Sequence, residues 1–349
     1  MKIALIGDIS RPTNMNSGAG TETWTYNYAE ALVKKGHEVT LFACKGSDFS
    51  GKVIEICEPK DLFSKSLDDY SRRKISLFTI EEVIKVLSKK DEFDIFHVSL
   101  FSFYYFLPII KLLDKPIVIT VHGYGDFDRN DLKNIFRKYS SPYYVFPSLS
   151  FLENWPKPKR SEVIYHGINL DQFTFSDHPE DYYFWIGGIC ENKGTGDAVL
   201  FAKKSRTKLI IAGTKSDPEY FDKVIKPSLS EKIKYVGQVG LKEKNKYYEK
   251  AKATLFTSKI NEAFGLVMIE SLACGTPVIA YDVDPVKEII TNGICGYIVK
   301  TGNVDGVVQA SKNISSILRV DCRKNVEEKF SIERMVHQYE KLYSRILTK

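Results

Sequence analysis

The stretch from Thr257 to Ala280, TSKINEAFGLVMIESLACGTPVIA, carries a loop, a helix and the start of a strand in close succession. It begins in a polar loop, turns at Phe264 and Gly265, and continues as a helix with one apolar face as far as Leu272. The motif CGTP then leads into a short buried strand. A helix placed between two strands in this way is typical of an α/β fold.

The turn in this stretch predicts an anion site. A helix that begins near Gly265 leaves the backbone N–H groups of Leu266 and Val267 without intrahelical acceptors. Together with the helix dipole, these groups favour an anion such as a diphosphate. Glycine at the turn lets such a ligand approach the backbone closely.

Two carboxylates flank the turn, Glu262 in the loop and Glu270 in the helix, with seven residues between them. At a rise of roughly 1.5 Å per residue, Glu270 lies about 6 to 8 Å along the axis from the helix start. In one interpretation Glu270 accepts hydrogen bonds from a ribose diol and Glu262 meets the hydroxyls of a sugar. In the other, Glu262 is a loop or capping acid and Glu270 is a solvated helix position.

Length and composition indicate a two-domain globular protein. A chain of 349 residues exceeds the usual size of one core, and 43% hydrophobic with 27% charged residues is ordinary for a folded protein. The net charge of +6 favours anionic substrates or a membrane surface only weakly. Because the basic residues are scattered among acids, no nucleic-acid partner is expected.

The cysteines and the apolar runs indicate a cytoplasmic location. The six cysteines are far apart and form no C-x-x-C pair or Cys/His cluster, so we expect buried reduced thiols and no metal site. The N-terminus lacks a signal peptide's small-residue cleavage site. No apolar run approaches the roughly 20 residues that a spanning helix needs. Contact with the inner face of a membrane stays open as a peripheral arrangement.

Strand and helix signals alternate along the whole chain. The loop GDISRPTNMNSGAGTE lies between a strand and a helix from about Thr21 to Lys35, so the chain begins with a β-loop-α-β unit. A second α/β series begins after HGINLDQF, which predicts a domain boundary near residue 170 and domains 1–168 and 169–331. The predicted strands are Lys2–Ile6, Glu38–Ala43, Phe93–Val98, Pro116–Val121, Tyr143–Pro147, Val163–Tyr165, Tyr182–Ile186, Lys208–Ala212, Ile233–Val236, Ala253–Thr257, Val278–Ala280 and Ile294–Val299.

Two D-x-D pairs, at residues 126–128 and 282–284, are interpreted as loop or capping acids because no other metal ligands accompany them. Asp284 precedes Pro285 and is predicted as an N-cap with proline in the first helical turn.

The motif EAFGLVMIE with the exit CGTPVIA resembles the E-x7-E signature of the retaining glycosyltransferases of family four, and the likeness covers most of the chain. It implies the GT-B fold, with two doubly wound Rossmann-like domains facing across a cleft. It also implies that a final helix at about 332–349 packs back on the N-terminal domain. Members of this family transfer a sugar, here expected to be a hexose, from a nucleotide diphosphate sugar to an acceptor, usually without a metal ion or other cofactor.

The resemblance also implies roles for individual residues. GTE followed by a helix and GHEVTLFA is similar to the family's amino-terminal pattern, in which the loop with Gly18 and Gly20 lies beside the donor phosphates and the acceptor. His122 ends the tripeptide T-x-H after a strand and is expected to contact the donor sugar or its phosphate, either as a neutral or as a protonated imidazole. The expected catalytic residues are His122, Glu262 and Lys193. The expected donor-binding residues are Gly18, Gly20, Gly188, Lys193, Gly237, Val239, Phe264, Gly265, Leu266, Val267 and Glu270.

One position departs from the family pattern. The loop GGICENKG carries Lys193 as a phosphate-binding point charge, but Gly188 stands where the family usually has arginine. A charged hydrogen bond to phosphate contributes roughly 1.5 to 3 kcal/mol, so its loss would weaken donor binding. Three interpretations are open: Arg11 or Lys215 compensates, the donor binds weakly, or the protein binds sugars without turnover.

The expected partners are a nucleotide sugar donor and a hydroxyl acceptor, which is a glycan, a lipid-linked sugar or a small molecule. A sugar-nucleotide epimerase of the same fold and a catalytically inactive sugar-nucleotide-binding protein are the alternative functions. The epimerase is not expected to carry the E-x7-E turn.

Overall fold

The structure is a computed structural model that describes residues 1–59, 69–123 and 127–348, of which residues 69–72 are described by their backbone alone. The chain divides into two compact units. The N-terminal unit comprises Met1–Gly167 and Ile332–Lys349, and the C-terminal unit comprises Ile168–Ser331. This division lies one residue from the boundary that the sequence predicts.

Within the described residues, the N-terminal unit contains a parallel sheet of seven strands with the order β3-β2-β1-β4-β5-β6-β7. Four of the five residues of β1 are fully buried, as expected for a strand with helices on both faces. The strands are β1 (Lys2–Ile6), β2 (Glu38–Ala43), β3 (Lys52–Glu55), β4 (Ile95–Val98), β5 (Ile117–Thr120), β6 (Tyr143–Phe146) and β7 (Ser161–Val163).

Helices cover this sheet. The first begins after the glycine loop and ends before Gly36, whose φ of +86° suits glycine at a helix C-terminus. The aromatic segment after β4 forms a 3₁₀ helix, Phe103–Leu112, which buries four apolar side chains. The α-helices of this part are α1 (Gly20–Lys34), α2 (Asp69–Ser88), α3 (Arg129–Lys138) and α4 (Leu149–Glu153).

The C-terminal unit contains a second parallel sheet, which has six strands within the described residues and the order β10-β9-β8-β11-β12-β13. Its strands are β8 (Tyr183–Ile186), β9 (Leu209–Ala212), β10 (Ile233–Tyr235), β11 (Ala253–Phe256), β12 (Val278–Tyr281) and β13 (Gly296–Val299). Its α-helices are α5 (Thr195–Ser205), α6 (Pro218–Tyr220), α7 (Leu241–Lys250), α8 (Leu266–Ala273), α9 (Val286–Ile289), α10 (Val304–Asn313) and α11 (Arg319–Lys329).

The last helix, α12 (Ile332–Leu347), belongs to the core of the N-terminal unit. Its Tyr339 and Tyr343 form hydrogen bonds of 2.7 Å to the hydroxyls of Thr120 and Tyr28, respectively. Tyr343 also lies 2.5 Å from Nδ1 of His97. Because all five side chains are buried, these bonds satisfy polar groups that would otherwise destabilise the core.

The structure differs from the sequence predictions at several places. The prediction omits β3, and the predicted strand Val163–Tyr165 is shifted by two residues toward the C-terminus relative to β7. Asp284 is not an N-cap, because α9 begins after Pro285, which holds the cap position. Asp128 does cap α3 by accepting from two backbone N–H groups, whereas Asp126 lies outside the described residues.

None of the six cysteines forms a disulfide, and Cys44, Cys274, Cys295 and Cys322 are buried thiols. Burial raises the pKa of Cys44 to about 12 and that of the other three buried thiols in the same direction, so they are inert.

Candidate active site

Two loops of the C-terminal unit meet beside the ends of β8 and β11. The hydroxyl of Thr257, directly after β11, donates to the carbonyl oxygen of Gly194 at 2.8 Å and accepts from Nε1 of Trp185 at 3.0 Å. Gly194 has φ +68°, and a Cβ at this position would lie 1.9 Å from the carbonyl oxygen of Thr257. Only glycine fits here, so the loop with Lys193 is held against the loop with Glu262.

Lys193 and Glu262, both predicted as catalytic, form an ion pair with a distance of 2.5 Å between Nζ and Oε1. The backbone N–H of Glu262 donates to the carbonyl oxygen of Asp284 at 2.8 Å, which fixes the loop position. Both side chains keep contact with solvent, at 35% for Lys193 and 17% for Glu262. The pair is therefore accessible to an anion that competes for the lysine.

The predicted turn precedes α8. Gly265 has φ +90° and occupies the N-cap position, so α8 begins at Leu266. The N–H groups of Leu266 and Val267 have no acceptor among the described residues, as expected for the first turn of a helix. The side chain of Phe264 is buried against Phe330, with ring centroids 5.7 Å apart, and is not available to a ligand.

Glu270 is buried, so the interpretation as a solvated helix position is wrong. Its Oε1 lies 2.5 Å from Nζ of Lys244, and its Oε2 accepts from the hydroxyl of Tyr248 at 3.0 Å. Burial, reinforced by the Glu270 carboxylate, raises the pKa of Tyr248 well above 10, so the hydroxyl stays a donor. Lys244 and Tyr248 lie four residues apart on α7 and therefore face the same way.

A third lysine–carboxylate pair lies nearby and was not predicted. Nζ of Lys259 lies 2.9 Å from Oδ1 of Asp197, whose Oδ2 accepts from the hydroxyl of Tyr281 at 2.8 Å. The backbone N–H of Lys259 donates to the carbonyl oxygen of Asn192 at 2.8 Å. Sequence reasoning missed this pair, as it missed Lys244 and Tyr248, because lysines and tyrosines are numerous and no spacing motif marks these.

Ser216 occupies the space that an arginine side chain at position 188 would need. A Cβ on Gly188 would lie 2.5 Å from Oγ of Ser216. Nζ of Lys215 lies 4.1 Å from the ring centroid of Phe221 and 5.6 Å from that of Tyr235, so its ammonium group is engaged by two aromatic faces.

The other predicted donor-binding positions of this unit lie on the loop between β10 and α7. Gly237 has φ +82° and its carbonyl oxygen accepts from the N–H of Gly213 at 2.8 Å. Val239 is half-buried. Their contact with the donor stays a prediction.

The N-terminal unit carries the remaining predicted residues. Gly18 is exposed in the loop, and Gly20, also exposed, is the first residue of α1. His122 follows β5 by two residues, and its Nε2 lies 2.9 Å from Oγ of Ser99. Its ring packs edge-on against Trp24 with a centroid distance of 4.9 Å. Burial lowers the pKa of His122 to about 3, so the imidazole is neutral at pH 7.

Among the described residues, no group of three or more His, Cys, Asp or Glu side chains is arranged to hold a metal ion. No helix among them combines the length and apolar character needed to cross a bilayer.

Two family models match the chain, one on each half. The model described as Glycosyltransferase Family 4 matches residues 18–172, and that described as Glycosyl transferases group 1 matches residues 171–329. Together they reach from the first glycine loop to the end of α11.

Similar proteins and structures agree with these matches. An uncharacterized glycosyltransferase of Methanocaldococcus jannaschii is 24% identical, covering 90% of this chain and 91% of its own. An uncharacterized 41.2 kDa protein in the cps region of Klebsiella pneumoniae is 30% identical, and the match covers 82% of this chain and 87% of that protein.

Among solved structures, sucrose-phosphate synthase from Thermosynechococcus elongatus has a TM-score of 0.82 at 19% identity and covers 99% of both chains. Anabaena HepE in complex with UDP-glucose has a TM-score of 0.76 at 14% identity and covers 99% of this chain and 100% of its own. The chain therefore belongs to glycosyltransferase family four, and it is a glycosyltransferase with the GT-B fold.

Proposed function

We propose that this glycosyltransferase moves a hexose from a nucleoside diphosphate sugar to a hydroxyl acceptor, with retention at the anomeric carbon and without a metal ion. The observation that carries the proposal is the cluster in the C-terminal unit formed by the Lys193–Glu262 pair and the first turn of α8. An accessible lysine and free backbone N–H groups offer the donors that a diphosphate needs.

Lys193 is proposed to exchange its partner when the donor binds. The diphosphate carries more charge than Glu262 and competes for the same ammonium group. Release of Lys193 frees Oε1 of Glu262, which then accepts hydrogen bonds from sugar hydroxyls. The ion pair thus holds both side chains in position and balances their charges until the donor binds.

Glu270 is proposed to bind the ribose diol. Each carboxylate oxygen has two lone-pair sites, and Lys244 and Tyr248 use one on each oxygen. One site per oxygen therefore remains for the two ribose hydroxyls. Because Lys244 and Tyr248 restrain the carboxylate, little rotamer freedom is lost when the nucleoside binds.

The chemical step is proposed as a front-face displacement. The bond between C1 and the β-phosphate oxygen breaks, and the acceptor oxygen bonds to C1 on the same face. The acceptor's proton passes to the departing phosphate oxygen, so no protein base is required. Lys193 and the N–H groups of Leu266 and Val267 stabilise the charge that develops on the leaving nucleoside diphosphate.

Gly188 is proposed to weaken the hold on the diphosphate. Lys215 is not supported as a replacement, since Phe221 and Tyr235 engage its ammonium group, whereas compensation by Arg11 stays a prediction. Arginine at this position needs space that Ser216 occupies. The variant that tests this point is therefore Gly188→Arg combined with Ser216→Ala, and we expect it to bind nucleoside diphosphate about 10-fold more tightly.

For the acceptor and the cellular location, the proposal names classes and not a single candidate. A glycan, a lipid-linked sugar or a small molecule is the acceptor, and the enzyme acts in the cytoplasm or at the inner face of the membrane. A cosedimentation assay with anionic vesicles separates these two locations, because peripheral contact predicts salt-sensitive sedimentation.

The deciding experiment is a panel of UDP-, GDP- and ADP-hexoses, read by nucleoside diphosphate release with and without a chelator. The wild type should release nucleoside diphosphate from at least one donor, and chelation should leave the rate unchanged. Lys193→Met should lower kcat/KM for that donor by about 10- to 100-fold, because it removes a charged contact to the phosphate. The anomeric configuration of the product, read by NMR, should match that of the donor.

A matched control is Lys204→Met, which removes an exposed lysine paired with Asp305 in the same unit. It should leave kcat/KM unchanged. Release from no donor would favour the inactive binding protein, and an inverted product would refute the front-face step.

A further inference from the structure

A basic groove lies on the N-terminal unit, between α3 and the irregular segment 156–159 that precedes β7. Its volume of about 630 Å³ is within the range of pockets that bind ligands. No aspartate or glutamate is among the described residues that line it. Five of these residues are lysine or arginine: Arg129, Lys133, Arg137, Lys157 and Lys159.

Helix geometry places three of these cations in a row. Arg129, Lys133 and Arg137 lie four residues apart on α3 and therefore share one face of the helix. At a rise of roughly 1.5 Å per residue, they extend over about 12 Å along its axis. Lys157 and Lys159 approach the groove from the irregular segment. The groove can therefore hold several anionic groups that follow one another along a chain.

The five cations of the groove lack counter-charges within the described part of the chain. None of them forms an ion pair there, and all five are exposed. Elsewhere in the same unit, Lys45 pairs with Glu58 and Arg345 pairs with Glu162. Like charges around one groove repel each other, and an anion that binds between them relieves this repulsion.

The uncharged part of the lining suits a sugar chain. The side chains of Asn130 and Ser140 can both donate and accept hydrogen bonds, as contacts to sugar hydroxyl groups require. Pro156 and Pro158 add apolar surface, and the aliphatic stems of the lysines and arginines extend it. The lining thus combines positive charge with the contacts that a polyhydroxylated ligand makes.

Two other anionic partners fit this lining less well. A bilayer surface is too broad to enter a groove, and helices that bind membranes expose apolar side chains beside their basic ones. No large apolar side chain of α3 or of residues 156–160 is exposed. Single-stranded nucleic acid is bound through exposed aromatic rings on which its bases stack. The aromatic ring in this lining, Phe136, is only 3% exposed and packs against Phe103 and Tyr144.

We propose that this groove binds an acidic glycan, in which carboxylate or phosphate groups recur along a sugar chain, and that it thereby holds a polymeric acceptor. The inference rests on the proposed function for the role of the glycan as acceptor. It selects the glycan among the three classes of acceptor named above. It also assigns acceptor binding to residues outside the cluster that contains Lys193 and Glu262.

The test measures the binding of two fluorescently labelled acidic oligosaccharides, oligogalacturonate and phosphomannan, by anisotropy. The wild type should bind at least one of them, and the affinity should fall as salt is added, because salt screens exposed charges. The uncharged counterparts are methyl-esterified oligogalacturonate and neutral mannan. They should bind at least about 10-fold more weakly, because the contacts to the cations are lost.

Two variants test the two sides of the groove separately. Lys133→Glu combined with Arg137→Glu reverses two charges on α3 and should raise the Kd for the acidic oligosaccharide at least about 10-fold. Lys157→Gln combined with Lys159→Gln removes two charges from the irregular segment and should raise the Kd about 2- to 30-fold. The second variant leaves every helix unchanged, so it tests the groove even if the first variant folds poorly.

The matched control is Lys34→Glu combined with Lys35→Glu, at exposed positions where α1 ends. It changes the net charge of the protein by the same amount as the α3 variant and should leave the Kd unchanged. An equal loss in this control overturns the proposal, as does unchanged binding in both groove variants. Failure of the wild type to bind either acidic oligosaccharide overturns it too. Binding of oligouridylate or of phosphatidylglycerol vesicles that is as tight and depends on the same lysines and arginines would assign the groove to RNA or to the membrane instead.

The outcomes separate this proposal from the enzymatic one. Release of nucleoside diphosphate from the active donor, measured without an acceptor, should be equal in the wild type and the groove variants. If the groove binds the acidic glycan and no donor reacts, the binding surface stands, whereas the proposed function and the acceptor role fail. If a donor reacts and neither acidic glycan binds, the proposed function stands and the assignment of the groove fails.

Discussion

Replacing Glu270 by glutamine should destabilise the C-terminal unit through Lys244. Glutamine has nearly the same shape and can still offer an oxygen to Lys244 and an amide group to the hydroxyl of Tyr248. The change therefore removes the negative charge with little loss of hydrogen bonds. The Lys244 ammonium, 2.5 Å from the carboxylate in the wild type, is left without a counter-charge.

The expected magnitude follows from burial. The side chain of Glu270 is 5% exposed and that of Lys244 is 15% exposed, so both charges lie largely out of water. Breaking a buried pair by removing one partner costs about 3 to 5 kcal/mol. The residual exposure of Lys244 lets its ammonium group hydrate in part, so we expect a value near the lower end, about 3 kcal/mol.

The assay is a double-mutant cycle with Glu270→Gln, Lys244→Met and the double variant, followed by thermal unfolding without ligand. A loss of about 3 kcal/mol lowers the Tm of a unit of this size by roughly 6 to 12 °C. The double variant carries no buried unpaired charge and should be more stable than the sum of the single losses predicts, by about 2 kcal/mol. The control is Glu327→Gln, which breaks the ion pair between the exposed Glu327 and Arg323 and should change the Tm little.

Additive effects within about 0.5 kcal/mol would refute this reasoning. Such a result would mean that Lys244 does not hold the carboxylate in place. The proposed ribose contact would then lose its structural support, even if the variant bound nucleotide weakly.

Three further predictions concern buried polar groups. Burial, with a smaller effect of Asp8, raises the pKa of Glu22 to about 7. The folded state therefore binds the proton more tightly than the unfolded state, and the free energy of unfolding falls as the pH rises from about 4.5 to about 7. Glu22→Gln should therefore stabilise by about 1 to 3 kcal/mol at pH 8 and by little at pH 5, measured by urea unfolding at both. Neither carboxyl oxygen of the buried Glu82 has a hydrogen-bond partner among the described residues, so Glu82→Met should be more stable by about 1 to 3 kcal/mol in the same assay. Arg319 donates to four carbonyl oxygens and one hydroxyl, so Arg319→Lys should lose at least two of these bonds and about 3 kcal/mol, read as a lower Tm.

The Glu22 variant has a matched control, and a specific result would contradict each of the three predictions. Exposed Glu38→Gln should show no difference between pH 5 and pH 8. A gain from Glu22→Gln that is equal at both pH values would contradict the effect of charge burial. A loss of stability in Glu82→Met would mean that the buried carboxyl group does not destabilise the fold. An unchanged Tm for Arg319→Lys would mean that the carbonyl oxygens bound by Arg319 find other hydrogen-bond donors.

Local patterns in the amino-acid sequence determined the α/β class, the position of most strands and the turn before α8. These features depend on residues close together in the chain, such as a buried run of four or five apolar residues or a glycine before an apolar helix. The prediction missed β3 because KVIE is short and only one of its residues is buried. It placed an N-cap at Asp284 because it relied on residue type where backbone geometry decided.

Only the tertiary structure decided which charged groups are partners. Lys193 and Glu262 are 69 residues apart in the chain, and Lys244 and Glu270 are 26 apart. Such pairs depend on strand order and loop packing, which no local pattern encodes. The same holds for Ser216 beside Gly188, since these two residues lie on loops that follow different strands. The chemistry of the site could thus be predicted from its residues, whereas the pairing of its charges required the fold.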